Sequence, residues 1–209
     1  MVLPSGHSTD WYETDVDLQA VGIPSGAFTV AGVSDALGDE RLRWLIASAQ
    51  WVPMDLPIHF LLIAPESGHE RLRRLIRKMP FTQRFHLCNR LEEAPGLLAS
   101  SSVAVITNWR SELERRSCMQ CLAAGAPILG ADTGFIRQVV QTEVNGELLS
   151  VNDPELLADS IFQLYENRDR RAMLSAGARR SARQWPSMHQ HLLQLRSAFE
   201  QVLTDGSAL

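Results

Sequence analysis

IHFLLIAP, residues 58–65, decides the fold. A strand with one wet face alternates apolar and polar residues. Apart from His59, this run is apolar on both faces, as in a strand covered on both sides, and such strands belong to parallel sheets. Four more runs of this kind lie around it: AFTVAGV (27–33), FHLCN (85–89), VAVITN (103–108) and PILGAD (127–132). Between them stand segments of helical period. DERLRWLIASAQWV (39–52) repeats its apolar residues at Leu42, Leu45, Ile46 and Ala49. HERLRRLIRKM (69–79) is helical, as is LEEAPGLLASS (91–101), where Pro95 either sits in the first turn or breaks it. IRQVV (136–140) gives a short helix and NGELL (145–149) a turn with a brief extended piece. Five strands alternating with helices imply right-handed crossovers and an α/β fold with a doubly wound, Rossmann-like parallel sheet. The rest is helical: 153–167, with Pro154 just after Asp153; 169–184; and 188–203, after Pro186, with an apolar stripe of Leu192, Leu195, Phe199, Val202 and Leu203.

Composition narrows the function. The chain has 209 residues, 45% hydrophobic and 21% charged, with a net charge of −4. These are values of a globular protein with a core of its own, and the acidic balance argues against a nucleic-acid binder. No apolar run approaches the roughly 20 residues that span a bilayer. MVLPSGHSTDWYETD has no basic region followed by an apolar stretch, so it does not read as a signal peptide. Three cysteines make no even disulfide framework, which suits a reducing, cytoplasmic setting.

Ligands of such sheets sit outside the carboxyl ends of the strands. That points to the junctions after Val33, Asn89 and Asn108. The last of these opens SELERRSCMQCLAAGAP (111–127). Ser111 and Glu114 have capping-box spacing, and Glu112 falls in the first turn, where a carboxylate suits the helix dipole. Both glutamates either cap a helix or line a ligand site. Cys118 and Cys121 lie about two turns inside, too deep for a redox pair activated by a helix N-terminus. A zinc site would need a second pair, and only Cys88 remains. Buried small hydrophobes are the better reading, with Gly125 as the residue that ends the helix.

The same stretch resembles the signature of the retaining nucleotide-sugar glycosyltransferases with two facing Rossmann domains, the GT-B fold. That signature is Glu, seven residues, Glu, then Ala-Met-Ala-x-Gly-x-Pro. Here it reads Glu112, seven residues, Gln120, then CLAAGAP. GADTGFIRQVVQTEVNGELLSVNDPELLADSI continues it with the family's strand, glycine turn, short helix, Asn-Gly turn and Asp-Pro-Glu helix start. Upstream, LPSGHSTDWY resembles the interdomain linker and GIPSGAFTVAGVS the first strand of the second domain. The resemblance implies a single C-terminal half of a GT-B fold with extra C-terminal helices. Residues 1–24 would be linker, 25–187 the nucleotide-sugar-binding domain, and 188–209 a helix docking on an N-terminal Rossmann domain from elsewhere. Its substrate would be a nucleoside-diphosphate sugar, with no metal and no other cofactor. Glu112 would be the catalytic residue near the sugar and Gln120 would hold the ribose. Gly32 and Ser34 would border the diphosphate and Arg90 the base, with Ser111, Leu113, Glu114 and Arg115 completing the wall.

The sequence departs from the pattern in three places. Gln120 replaces the second glutamate, a weaker acceptor for a ribose hydroxyl. Leu113, Glu114 and Arg115 stand where Gly-Phe-Gly presents amides. The basic pair after the first strand is missing: Ser34, Asp35 and Asp39 occupy its place, and Arg41 follows late. Arg115 or Arg110 would have to compensate. These departures keep a second function open, a non-catalytic module that binds a nucleotide or a protein partner. Two basic runs, Arg71 to Lys78 and Arg168 to Arg183, read as solvated helix faces, the alternative being peripheral contact with an anionic membrane. His189 and His191 make a poor metal pair, and His59 and His86 read as structural.

Overall fold

The computed structural model describes residues 16–34, 40–106, 112–134, 136–150, 153–184, 192–193 and 195–200. Six strands form one parallel sheet: β1 (Phe28–Val33), β2 (Ile58–Ile63), β3 (Phe85–Cys88), β4 (Val103–Ile106), β5 (Ile128–Ala131) and β6 (Gly146–Leu149). Their order is β3-β2-β1-β4-β5-β6, the doubly wound order whose direction reverses between β1 and β4. The five expected strands are present. The sixth is a correction: 146–149 is a full edge strand, with Gly146 opposite Ile128 and Leu149 opposite Ala131. It escapes an apolar-run search because it is short and carries a glycine and a glutamate. Both have tertiary reasons. A Cβ on Gly146 would stand 2.1 Å from the Ile128 carbonyl oxygen, and Glu147 is paired with Arg170.

The crossovers are α1 (Glu40–Ser48), α2 (Glu66–Ile76), α3 (Ala94–Ala99), α4 (Glu112–Ala124) and α5 (Ile136–Val139), followed by α6 (Pro154–Glu166) and α7 (Arg168–Ala182). The α2 helix starts three residues before the expected boundary, directly after Pro65, because Gly68 in its first turn hides the start. Pro95 lies in the first turn of α3, after a 3-10 turn at Leu91–Glu93. Asp153 caps α6 by accepting from the Leu156 amide at 2.9 Å.

Alternate side chains of the strands feed two cores. Phe28, Val30, Phe60 and Leu62 meet α1, α2 and α6 on one face. Ala31, Val33, Leu61 and Ile63 meet α3, α4 and α5 on the other. Gly32 faces the first core, where a Cβ would lie 3.0 Å from Leu45 Cδ2 and 3.1 Å from Leu42 Cδ2, so its hydrogen lets α1 close onto β1. The α7 helix belongs to neither layer: Leu174 enters the first core, Ala178 and Ala182 the second. It therefore passes beneath the N-terminal ends of the strands. A glycine permits this, since Gly177 lies so close to Val144 that a Cβ would be 1.7 Å from its carbonyl oxygen.

His59 and His86 hold each other across β2 and β3, with Nδ1 of one 2.9 Å from Nε2 of the other. Burial holds both imidazoles below their ordinary pKa; Arg84 adds to this at His59, and His59 at His86.

Candidate functional site

The β1–β4 switch point is bordered by Ser34, just beyond β1, and by the start of α4. Ser34 is buried and its amide donates to the Ile63 carbonyl at 2.9 Å, carrying the β1–β2 ladder one residue past the strands. Ser111, Arg110, Asp35 and Asp39 lie outside the described residues, as do the side chains of Arg41 and Glu112.

The helix α4 is regular from Glu112 onward, so residues 113–115 are helical rather than an open turn. Leu113 packs against the second core. Glu114 is fully buried, Arg115 is half-buried, and Gln120 is buried at 6% exposure. Ser117, Cys118 and Cys121 are fully buried too, because α4 is wedged between α3 and α7. Burial, and then the Glu114 carboxylate one turn away, push the Cys118 thiol up to about 12. Burial and the adjoining Cys118 raise Cys121 well above its ordinary value. Such thiols are inert, which disposes of the redox reading. The helix ends at Gly125, with φ 84°. Its amide reaches the Leu122 carbonyl at 3.2 Å and the Ala126 amide reaches that of Cys121 at 2.8 Å, the paired bonds of a glycine-terminated helix.

The rest of the rim carries cations that are already tied to acids. Arg90 follows β3 and is exposed, with Nη1 3.4 Å from Glu93 Oε2. Arg137, in α5, donates from Nε to Asp132 Oδ1 at 2.6 Å just beyond β5. That hydrogen bond holds the exposed Asp132 below the usual carboxylate range. Sequence reasoning missed Arg137; the strand–turn–helix pattern of GADTGFIR at a strand's carboxyl end was the available signal. It also missed a polar chain that joins β2 to β3. Asn89 Nδ2 donates to Glu66 Oε2 at 3.0 Å, and Glu66 lies 3.6 Å from Nδ1 of buried His69. His69 Nε2 bonds the Ala64 carbonyl oxygen at 3.0 Å. Among the described residues, no group of three or more His, Cys, Asp and Glu is placed to hold a metal ion.

Compared with known sequences, residues 20–167 match the sequence model of the family described as Glycosyl transferases group 1. The chain belongs to that family. This member of the family is 30% identical over 92 residues to D-inositol 3-phosphate glycosyltransferase of Salinispora tropica, a match covering 44% of this chain and 19% of the relative. Among solved structures it is similar to the Anabaena protein HepE, determined in complex with UDP and glucose. The TM-score is 0.82 at 19% identity, over 96% of this chain and 57% of HepE. It is also similar to the C-terminal domain of LpcC, a group 1 glycosyl transferase of Francisella tularensis. That TM-score is 0.64 at 12% identity, over 87% of this chain and 94% of the domain. The chain thus spans little more than half the length of HepE, and the two structural likenesses confirm the Rossmann-like fold. Among the described residues, no helix is long and apolar enough to cross a membrane.

Proposed function

We propose that this chain is the nucleotide-sugar-binding half of a glycosyltransferase that moves a hexosyl group from a nucleoside-diphosphate sugar to an acceptor with retention of configuration. One observation carries the reading: the family match spans a sheet of order 3-2-1-4-5-6, and Ser34 and α4 flank its switch point, where such sheets receive nucleotides. HepE was solved with UDP and glucose, which makes uridine nucleotides the first donors to try. In this reading Glu112 meets the sugar, Gln120 a ribose hydroxyl, Gly32 and Ser34 the diphosphate, and Arg90 the base. Ser111 and Leu113 to Arg115 form the wall, with no metal. Charge on the departing diphosphate falls to backbone amides at the α4 terminus and to Arg115.

The acceptor face then belongs to an N-terminal Rossmann domain, joined through residues 1–24 and gripped by 188–209, and this half alone binds donor without transferring sugar. The exposure of Leu192, Leu193 and Phe199 supports such a docking helix. The exposed basic side chains of α2 and the turn after it, Arg74 and Lys78 among them, support a peripheral contact with anionic lipid at the cytoplasmic face.

A second reading, a non-catalytic module, is favoured by one observation. Where the family pattern presents amides from Gly-Phe-Gly, this chain has closed helix, with Glu114 buried inside it. Calorimetric titration with UDP, GDP, ADP and their sugar conjugates separates the two. Micromolar binding of one nucleotide sugar, tighter than its bare nucleotide and lost in Glu112→Ala and Gln120→Ala, supports the donor half. A folded sample that binds none of them rules out a donor half that binds its nucleotide unaided and favours the module.

A further inference from the structure

The strand starts lie opposite the candidate donor rim, and the glycosyltransferase reading makes no use of them. Beneath them, between α7 and the N-terminal ends of β1, β4 and β5, run two clefts of about 320 and 440 Å³ that share Ser102, Arg168 and Arg171. The smaller adds Ser175 and Arg179, the larger Phe28, Tyr165 and Glu166. Together they make one groove large enough for a small organic anion.

Two of its arginines have structural work. Arg171 Nη1 donates to the Leu164 and Tyr165 carbonyls that end α6, and its guanidinium carbon stands 5.3 Å from the centre of the Phe28 ring. Arg179 donates from Nη1 to the Ala124 carbonyl at 2.7 Å, ending α4, and from Nη2 to Ser175 Oγ at 2.8 Å. Helix C-termini gather cations in this way. The basic run of α7 is therefore not the simple solvated face expected of it: Arg170 also pairs with Glu143 and Glu147.

Arg168 has no such work among the described residues, and it makes no ion pair among them, even though Glu166 lines the same cleft. Burial and the neighbouring Arg168 charge hold Arg171 below its ordinary pKa. Two guanidinium groups thus share one concavity, and a bound anion relieves their repulsion. Donors for it are available. The hydrogen bonds of Arg171 to described residues come from Nη1 alone. Ser102 Oγ accepts from the Thr29 amide at 3.1 Å and so still has its hydroxyl proton to give.

We propose that this groove binds a phosphate-bearing anion through Arg168, Arg171 and Ser102, on the edge of the sheet opposite the donor rim. The anion is either a soluble phosphorylated molecule or the headgroup of an anionic lipid.

The test is a nitrogen-15 NMR titration of the whole chain with inorganic phosphate and then pyrophosphate, beside sedimentation with phosphatidylcholine vesicles with and without phosphatidylglycerol. Saturable shifts at Ser102, Arg168, Ala172 and Ser175, weakened about tenfold in Arg168→Ala and partly restored in Arg168→Lys, support a soluble phosphate ligand. Binding only to phosphatidylglycerol vesicles, lost in Arg168→Glu, supports a lipid headgroup. Because the Arg168 side chain makes no ion pair or hydrogen bond among the described residues, its variants should melt with the parent chain. The proposal is overturned if neither phosphates nor vesicles bind, or if binding is indifferent to Arg168. Shifts that gather instead at Ser34 and Gln120 and vanish in Gln120→Ala also overturn it, since the anion would then occupy the donor rim.

Discussion

Asn145 offers a sharp test of how the sheet holds α7. Its side chain is fully buried before β6. Nδ2 donates to the Val139 carbonyl and to Ser181 Oγ, each at 2.9 Å, and Oδ1 accepts from the Gln141 amide at 2.8 Å. Asn145→Ala removes all three bonds. The Val139 carbonyl, in a buried setting, is left without this donor, at a cost of about 1–3 kcal/mol, and the two part-buried bonds are worth about 0.5–1.5 kcal/mol each. The expected loss is about 3 kcal/mol, a factor of about 100 in the folding equilibrium. Urea unfolding followed by circular dichroism should show the midpoint fall by about 1 M with an unchanged slope. Ser181→Ala, which removes one bond, should cost about 1 kcal/mol, and the double variant should show coupling of similar size. A loss below about 1 kcal/mol in Asn145→Ala would refute the view that this side chain pins α7 to the strand starts.

Three further outcomes follow from the structure. Cys118 and Cys121 should resist alkylation at pH 8 in the folded chain and react at once in denaturant, because burial keeps both thiols protonated; rapid native-state labelling would reopen the redox reading. His59 and His86 bind protons less readily folded than unfolded, so the unfolded chain takes up protons first as pH falls. Stability should be full above their unfolded value of about 6.5 and decline progressively below it, and the decline should shrink in His59→Gln. If Arg137 serves the diphosphate, Arg137→Ala should weaken nucleoside-diphosphate binding several-fold and leave the bare nucleoside unaffected; equal losses for both ligands would assign it a structural role.

The strands were legible because a parallel sheet covered on both faces leaves unbroken apolar runs, as in 58–63. The edge strand β6 was not, because its glutamate is balanced by an arginine 23 residues later in the chain. The end of α4 could be read from Gly125 alone, since a positive φ and a helix stop are local properties. The depth of Glu114 could not, because it depends on α3 and α7 closing around α4. The same limit applies at the rim. Glu112, Gln120 and Ser34 stood out through a pattern along the chain, whereas Asn89, Glu66 and His69 come together only through the pairing of β2 with β3. The α7 arginines show the converse: their spacing suggested a wet face, yet Arg171 and Arg179 close the ends of two other helices.

The charge at the donor rim bears directly on which functional reading holds. The family-like cation pair after β1 is missing, and a diphosphate needs positive charge from somewhere. Arg90 and Arg137 stand at the carboxyl ends of β3 and β5, each against a carboxylate. Both pairs are exposed: Arg137 and Asp132 show 64% and 45% of their side chains, Arg90 and Glu93 44% and 47%. Ion pairs in water hold their partners weakly, because solvent and salt screen the attraction. Either arginine can therefore turn to a phosphate at small cost, and neither pairing is an obstacle to donor binding. Glu114 is different. It is fully buried within the helix whose first amides would face the diphosphate, so its side chain cannot turn outward to make room for a phosphate. The rim arginines are free to exchange partners and Glu114 is not. The contest between a working donor site and a decayed one thus turns less on the absent basic pair than on the closed helix that stands where the family pattern presents amides.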